Sequence, residues 1–276
     1  MTLRFSARKA NMSELQITCL IDNKAGPGLA AEHGLSLLAV YGGKTYLLDS
    51  GSSGKFADNA KKLGVDLSTV DTAVLSHGHY DHGGGLAAFL EINDHAPVYL
   101  SRHAFEEHRN AREKDIGLDP ALKESDRLVF TDDYLDLGDG LELFSCNDRV
   151  PAHQVDAFGL TMRSGGELVP DDFRHEQYLL VTERGRRVLF SGCSHKGVLN
   201  IEEWFEPDVL VGGFHFMKLD VDGAGRDVLD DAAEKLLSHG TDYVTCHCTG
   251  ADQYRYLQGI MGERLGYLAC GETVVV

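Results

Sequence analysis

The stretch Ser76-His77-Gly78-His79-Tyr80-Asp81-His82-Gly83-Gly84-Gly85 puts three histidines and an aspartate within six residues. Imidazole and carboxylate together suit zinc, iron or manganese. His77 and His79 are two apart, so in extended backbone they point to the same side. Asp81 and His82 follow where the chain turns. Four donors at this density suffice for two ions, with His77 and His79 on one and Asp81 and His82 on the other. The glycines behind them let the backbone turn tightly under the side chains.

Such a stretch needs rigid elements on either side. Thr72-Ala73-Val74-Leu75 reads as a buried strand leading in, and Leu86-Ala87-Ala88-Phe89-Leu90 as a helix leading out. Three times after residue 180 an apolar strand ends in a histidine beside glycine. The strand ends are Ser191-Gly192-Cys193-Ser194-His195, Gly212-Gly213-Phe214-His215 and Cys246-His247-Cys248-Thr249-Gly250. Strands followed by helices gather their carboxyl ends along one sheet edge, where sites in α/β folds form. His195 and His247 are therefore expected to complete the metal shell. His215 either binds metal or stands opposite as an acid or substrate contact. Cys193, two before His195, is a soft ligand or a neighbour of one. His33 lies in a glycine-rich loop within reach of the pocket, and His175 precedes a strand. Asp49 ends a strand before glycines, where it suits orienting a metal-bound histidine. His103 and His108, five apart, read as surface histidines. Cys246 and Cys248 flank His247, point away from it in extended backbone, and read as buried apolar cysteines.

The remaining pattern supplies the scaffold. A hairpin over 37–41 and 45–48 turns at Gly42-Gly43. Residues 103–114 show helical spacing, and 115–127 form a charged loop that could cover the site. Strands are expected over 128–131, 141–146, 159–162, 178–182, 187–190 and 272–276. Helices are expected over 198–205, 228–238 and 251–261, the second amphipathic.

The pattern His77-x-His79-x-Asp81-His82 resembles the metallo-β-lactamase superfamily. With Glu32-His33-Gly34, Asp49-Ser50-Gly51, Gly192-Cys193-Ser194-His195, Gly213-Phe214-His215 and His247-Cys248-Thr249-Gly250 in order, the chain resembles its dihydropterin synthase-like branch. The resemblance implies a four-layered αββα sandwich with a dinuclear metal site between the sheet edges. Cys193 stands where the superfamily usually has an aspartate, and His175 lies in an unusual Arg-His-Glu-Gln setting. The expected cofactors are two divalent metal ions, zinc first, with manganese or iron as alternatives. The expected activity is hydrolysis of a small phosphorylated or ester-like molecule, with Asp81 orienting water and His215 serving the leaving group. The alternatives are a dihydropterin-linked synthase, as the branch label implies, and a di-metal redox or sensor protein.

Composition narrows the partners. Lys and Arg number 26 against 43 Asp and Glu, a net charge of −17. So acidic a chain repels nucleic-acid phosphates, and no basic cluster offsets this. No apolar run approaches membrane-spanning length. Residues 1–13 read as a flexible lead-in without the apolar core of a signal peptide. The six cysteines are scattered, which suits reduced thiols in the cytoplasm. The expectation is one α/β domain over 1–276, taking a small-molecule substrate, with no nucleic-acid or membrane partner.

Overall fold

The computed structural model describes residues 2–4 and 15–276. Its strands form three sheets. The first contains β1 (Thr2–Arg4), β2 (Gln16–Ile21), β3 (Ser36–Tyr41), β4 (Lys44–Leu48), β5 (Thr72–Val74), β6 (Val98–Ser101), β8 (Leu128–Thr131) and β18 (Thr273–Val275), in the order β1-β18-β2-β3-β4-β5-β6-β8. The second contains β9 (Tyr134–Gly138), β10 (Leu141–Phe144), β13 (Tyr178–Glu183), β14 (Arg186–Gly192), β15 (Val209–Gly212), β16 (Asp242–Thr245) and β17 (Leu265–Tyr267), in the order β17-β16-β15-β14-β13-β10-β9. A small third sheet joins β7 (His108–Arg109), β11 (Thr161–Ser164) and β12 (Glu167–Pro170).

Alternation along the strands explains the layering. Side chains on successive strand residues face opposite sides. Leu37, Ala39, Tyr46 and Leu48 meet Leu179, Val181, Val188, Phe190, Val209 and Val211 in one core between the two large sheets. The intervening Leu38 and Leu47 face outward onto Phe56 and Ala60 of α1 (Lys55–Lys62) and Leu86 and Phe89 of α3 (Leu86–Ile92). On the other side, Tyr178, Leu180, Leu189 and Leu210 pack against α4 (Val198–Phe205), α5 (Ala224–Ser238) and α6 (Ala251–Met261). Strands buried on both faces read as continuous apolar runs, as these do. The result is the expected αββα sandwich.

The site edge follows from direction. β4, β5, β6 and β8 run parallel, as do β14, β15, β16 and β17. The strand ends bearing Asp49, His77, Cys193 and His247 therefore gather along the facing edges of the two sheets. Gly192 enables the approach. Its φ is +61°, and a Cβ there would lie 2.4 Å from Ser76 Oγ of the other sheet.

Two expectations need correction. Residues 103–114 form turns and β7, not a helix. Their helical spacing is a pattern of polar residues, and it lacks the apolar stripe that would bury one helix face. α5 begins at Ala224, four residues before the expected 228. The expectation for 1–13 falls outside the described residues apart from β1, which pairs in parallel with β18. No helix among the described residues is long and apolar enough to cross a membrane.

Candidate metal centre

The His77–His82 stretch leaves β5 and turns at α2 (Tyr80–Gly83). Ser76, His77, His79, Asp81 and His82 are all buried. Gly78 is required between the first histidines, since a Cβ there would lie 2.1 Å from Ala104 O. Four residues at the site, Asp49, Ser194, His215 and His247, hold left-handed backbone at φ 59°, 58°, 55° and 42°. Each costs about 1–3 kcal/mol and persists only because its surroundings enforce it, and such strain concentrates at functional sites.

The donors form two adjacent groups. In the first, donor atoms of His77, His79 and His195 lie within 4.8 Å of one another. His77 Nε2 and His195 Nε2 are 3.3 Å apart. Two nitrogens bound tetrahedrally to zinc at its usual bond length are about 3.3–3.4 Å apart, so the spacing fits a shared ion. Burial holds all three rings well below the usual histidine range, and neighbouring imidazoles add to this. Neutral rings are the form that offers lone pairs.

The second group joins both sheets. His82 Nε2 lies 3.1 Å from Cys193 Sγ. Asp81 Oδ2 lies 3.4 Å from His247 Nε2 and 3.2 Å from His33 Nε2. Burial pushes the Asp81 carboxyl up, but the His247 and His33 rings beside it hold it well below the carboxylate range. Cys248 Sγ also falls within 4.8 Å of donor atoms of Cys193 and His247. Cys248 is buried as expected but does not point away from His247. Residues His247–Thr249 form a 3₁₀ turn instead of extended chain, so alternation does not carry Cys248 away. Cys246 does sit in the inter-sheet core.

Outer partners fix how the rings are presented. Asp49 Oδ2 is 2.6 Å from His82 Nδ1 and accepts from Ser76 Oγ at 2.7 Å, while Oδ1 accepts from Ser76 N at 2.7 Å. A carboxylate only accepts, so His82 Nδ1 carries a proton and Nε2 faces Cys193. Burial opposes a charge on His82, and Asp49 outweighs it, raising the ring above its usual range. His247 Nδ1 sits 2.8 Å from Asn23 Oδ1. Glu176 is buried and braces the Cys193–Lys196 loop, accepting from His195 N at 2.6 Å, Lys196 N at 3.0 Å and Tyr178 Oη at 2.7 Å.

A cavity of about 1000 Å³ reaches this centre through His195 and His215. Phe158, Phe173, Trp204 and Phe216 line it beside Lys196, Arg149 and Asn147. Phe173 stacks on His195 with ring centroids 4.6 Å apart. Both ring nitrogens of His215 are sealed from solvent and lack a hydrogen-bond partner among the described residues.

Comparison with known proteins points to the same fold. The family model for the metallo-β-lactamase superfamily matches residues 30–240. The chain belongs to the metallo-β-lactamase superfamily. An uncharacterized protein of Methanocaldococcus jannaschii is 27% identical over 245 residues, covering 85% of this chain and 90% of that protein. The 7,8-dihydropterin-6-methyl-4-(β-D-ribofuranosyl)-aminobenzene-5′-phosphate synthase of the same organism is 27% identical over 246 residues, covering 80% and 82% respectively. The crystal structure of Tm1679, a metal-dependent hydrolase of the β-lactamase superfamily, matches with a TM-score of 0.77 at 28% identity, over 95% of this chain and 99% of that one.

This superfamily member brings together His77, His79, Asp81, His82, His195 and His247, with His215 at the cavity wall and His33 against Asp81. His175 does not join His77 and His195. It packs behind His79, accepting from Gly78 N at 2.9 Å through Nδ1. His108 is buried, which corrects its reading as a surface histidine. Its burial is matched by Asp171, whose Oδ2 lies 2.8 Å from His108 Nδ1. His103 stays partly exposed, paired with Glu106. Asp171, Glu176 and Asn23 carried no signal in the sequence. Their partners lie far along the chain or on loops without pattern.

Proposed function

We propose that the protein is a metal-dependent hydrolase with a dinuclear centre, acting on a small phosphorylated or ester-like substrate. The observation that carries this reading is the pair of donor groups, His77-His79-His195 and Asp81-His82-Cys193-His247, side by side, with His195 of the first lining a cavity. Divalent ions held by these residues would supply a water nucleophile near neutral pH and offset negative charge developing on the substrate. Zinc fits the mixed imidazole, carboxylate and thiolate donors best.

The chain's own groups do the rest. Asp81, kept ionised by His33 and His247, binds and orients the attacking water. His195 and Phe173 form the wall against which the substrate lies. His215 has two unspent ring nitrogens on that wall, and it holds the substrate or gives a proton to the leaving group. Lys196 Nζ is already committed to Ser145 O at 2.6 Å and Asn147 Oδ1 at 2.7 Å, so it serves the loop instead of the substrate.

A second reading is synthase chemistry on a heterocyclic substrate. The aromatic cavity wall and the similarity to the dihydropterin-linked synthase favour it. A screen of phosphomonoesters, phosphodiesters and carboxylic esters separates the two. Turnover that is abolished in His79→Ala supports the hydrolase. No hydrolysis of any class by metal-replete protein, with turnover of a pterin substrate, supports the synthase.

A further inference from the structure

Behind the centre lies a second cluster that the hydrolase reading does not use. His108, Asp171 and His175 are buried, and donor atoms of these three and of His79 lie within 4.8 Å of one another. Hydrogen bonds place most of the protons. Gly78 N donates to His175 Nδ1, so the neutral ring carries its proton on Nε2. That Nε2 stands 3.5 Å from Asp171 Oδ2, longer than a full hydrogen bond. His108 Nδ1 is 2.8 Å from the same oxygen and must be the donor. Asp171 Oδ1 accepts from Phe173 N at 2.8 Å.

Two further atoms stay unspent. His79 Nε2 and His108 Nε2 are both sealed from solvent without a partner. With its proton on Nδ1, His108 presents a bare lone pair at Nε2. A buried polar atom left unpaired costs about 1–3 kcal/mol. A donor at His79 Nε2 would complement the acceptor at His108 Nε2.

We infer that His108, braced by Asp171, is a positioning residue: with metal bound, its Nε2, within 4.8 Å of the His79 donor atom and not yet bonded to it, would take a hydrogen bond from His79 Nε2–H and so hold a bare His79 Nδ1 toward the metal centre. The inference rests on the reading of His77, His79 and His195 as a metal-binding group. Metal-bound histidines commonly donate their outer N–H to such a partner, which fixes both tautomer and ring orientation. A further metal among the four residues fits less well. His175 would have to give up its Nε2 proton, and His108 already directs its own at Asp171 Oδ2.

Nitrogen-15 NMR of histidine-labelled, zinc-loaded protein reads the tautomers of the wild type directly. His79 protonated on Nε2 and His108 protonated on Nδ1 are expected. The opposite tautomer at either ring overturns the inference. Chelator competition on His108→Phe and Asp171→Asn gives a second readout. Zinc affinity should fall about 10–100-fold, the cobalt-loaded absorption spectrum should change, and His108→Gln should recover part of the loss. Unchanged affinity and spectrum in folded variants contradict the inference. So does an extra metal equivalent in wild type that His108→Phe removes. Protein that holds metal in this manner and hydrolyses nothing would defeat the hydrolase reading while leaving the positioning role intact.

Discussion

His77 follows a strand of the first sheet and His195 a strand of the second, yet their Nε2 atoms stand 3.3 Å apart. The ion that fits between them would tie the two halves of the sandwich at their facing edges. Removing His195 leaves His77 and His79 on one sheet alone. His195→Ala should therefore lower metal affinity at this group by more than about 100-fold, beyond what loss of an outer partner causes. Zinc titration against a competing chelator checks it, with equal affinity as the contrary result.

Asp49 acts one step further out. It holds His82 Nδ1 at 2.6 Å and both donors of Ser76. Asp49→Asn keeps the shape but removes the charge and one acceptor oxygen. Metal affinity at the second group should drop about 10–100-fold. The folded fraction at room temperature should change little in the same sample, as circular dichroism would show.

Much of this centre was legible in the sequence. His77, His79, Asp81 and His82 are close in the chain, and His195 and His247 stand at strand ends marked by glycine. Strand direction alone then brings them to one edge. The positions that escaped depend on contacts without local pattern. His108 pairs with Asp171 across 63 residues; His108 sits in the polar stretch whose spacing suggested a surface helix, and Asp171 in a stretch with no pattern. Cys248 was misplaced because a 3₁₀ turn replaced the extended chain that alternation assumes. The first turn of α5, Ala224-Gly225-Arg226-Asp227, has a single small apolar residue, the exposed Ala224, to announce it.

Glu176 makes a structural prediction. It accepts three hydrogen bonds while fully buried, two of them from the backbone of the Cys193–Lys196 loop. Glu176→Gln turns one acceptor into a donor facing N–H groups. The variant should lose about 1–3 kcal/mol of stability by urea melting. Its metal affinity should fall as well, because Cys193 and His195 ride on that loop.

Acid should weaken the metal-free protein in a defined window. Burial lowers His175 to about 4, with Asp171 partly opposing and His108 and Lys196 adding to the shift. The unfolded chain therefore binds the proton first, from about pH 6.5 downward. Stability is fully present above that value and falls as pH drops toward 4. The loss from this ring is of order 3 kcal/mol. Asp171 acts below it. Burial raises its carboxyl, but His108 and His175 outweigh this and depress it, so its contribution is lost as pH falls below the ordinary carboxylate range. Urea midpoints of chelator-treated protein between pH 7 and pH 4 test this. A His175→Gln variant should show a shallower decline, and an identical slope would contradict the assignment.

The most direct test of the hydrolase reading is metal content per chain, measured on protein purified without chelator, with phosphodiester and ester turnover on the same samples as metal is withdrawn stepwise. The account predicts two equivalents of zinc or manganese, with turnover lost as metal falls below two and regained on reloading. One equivalent or none with full turnover, or two irons with visible colour and no hydrolysis, would contradict it.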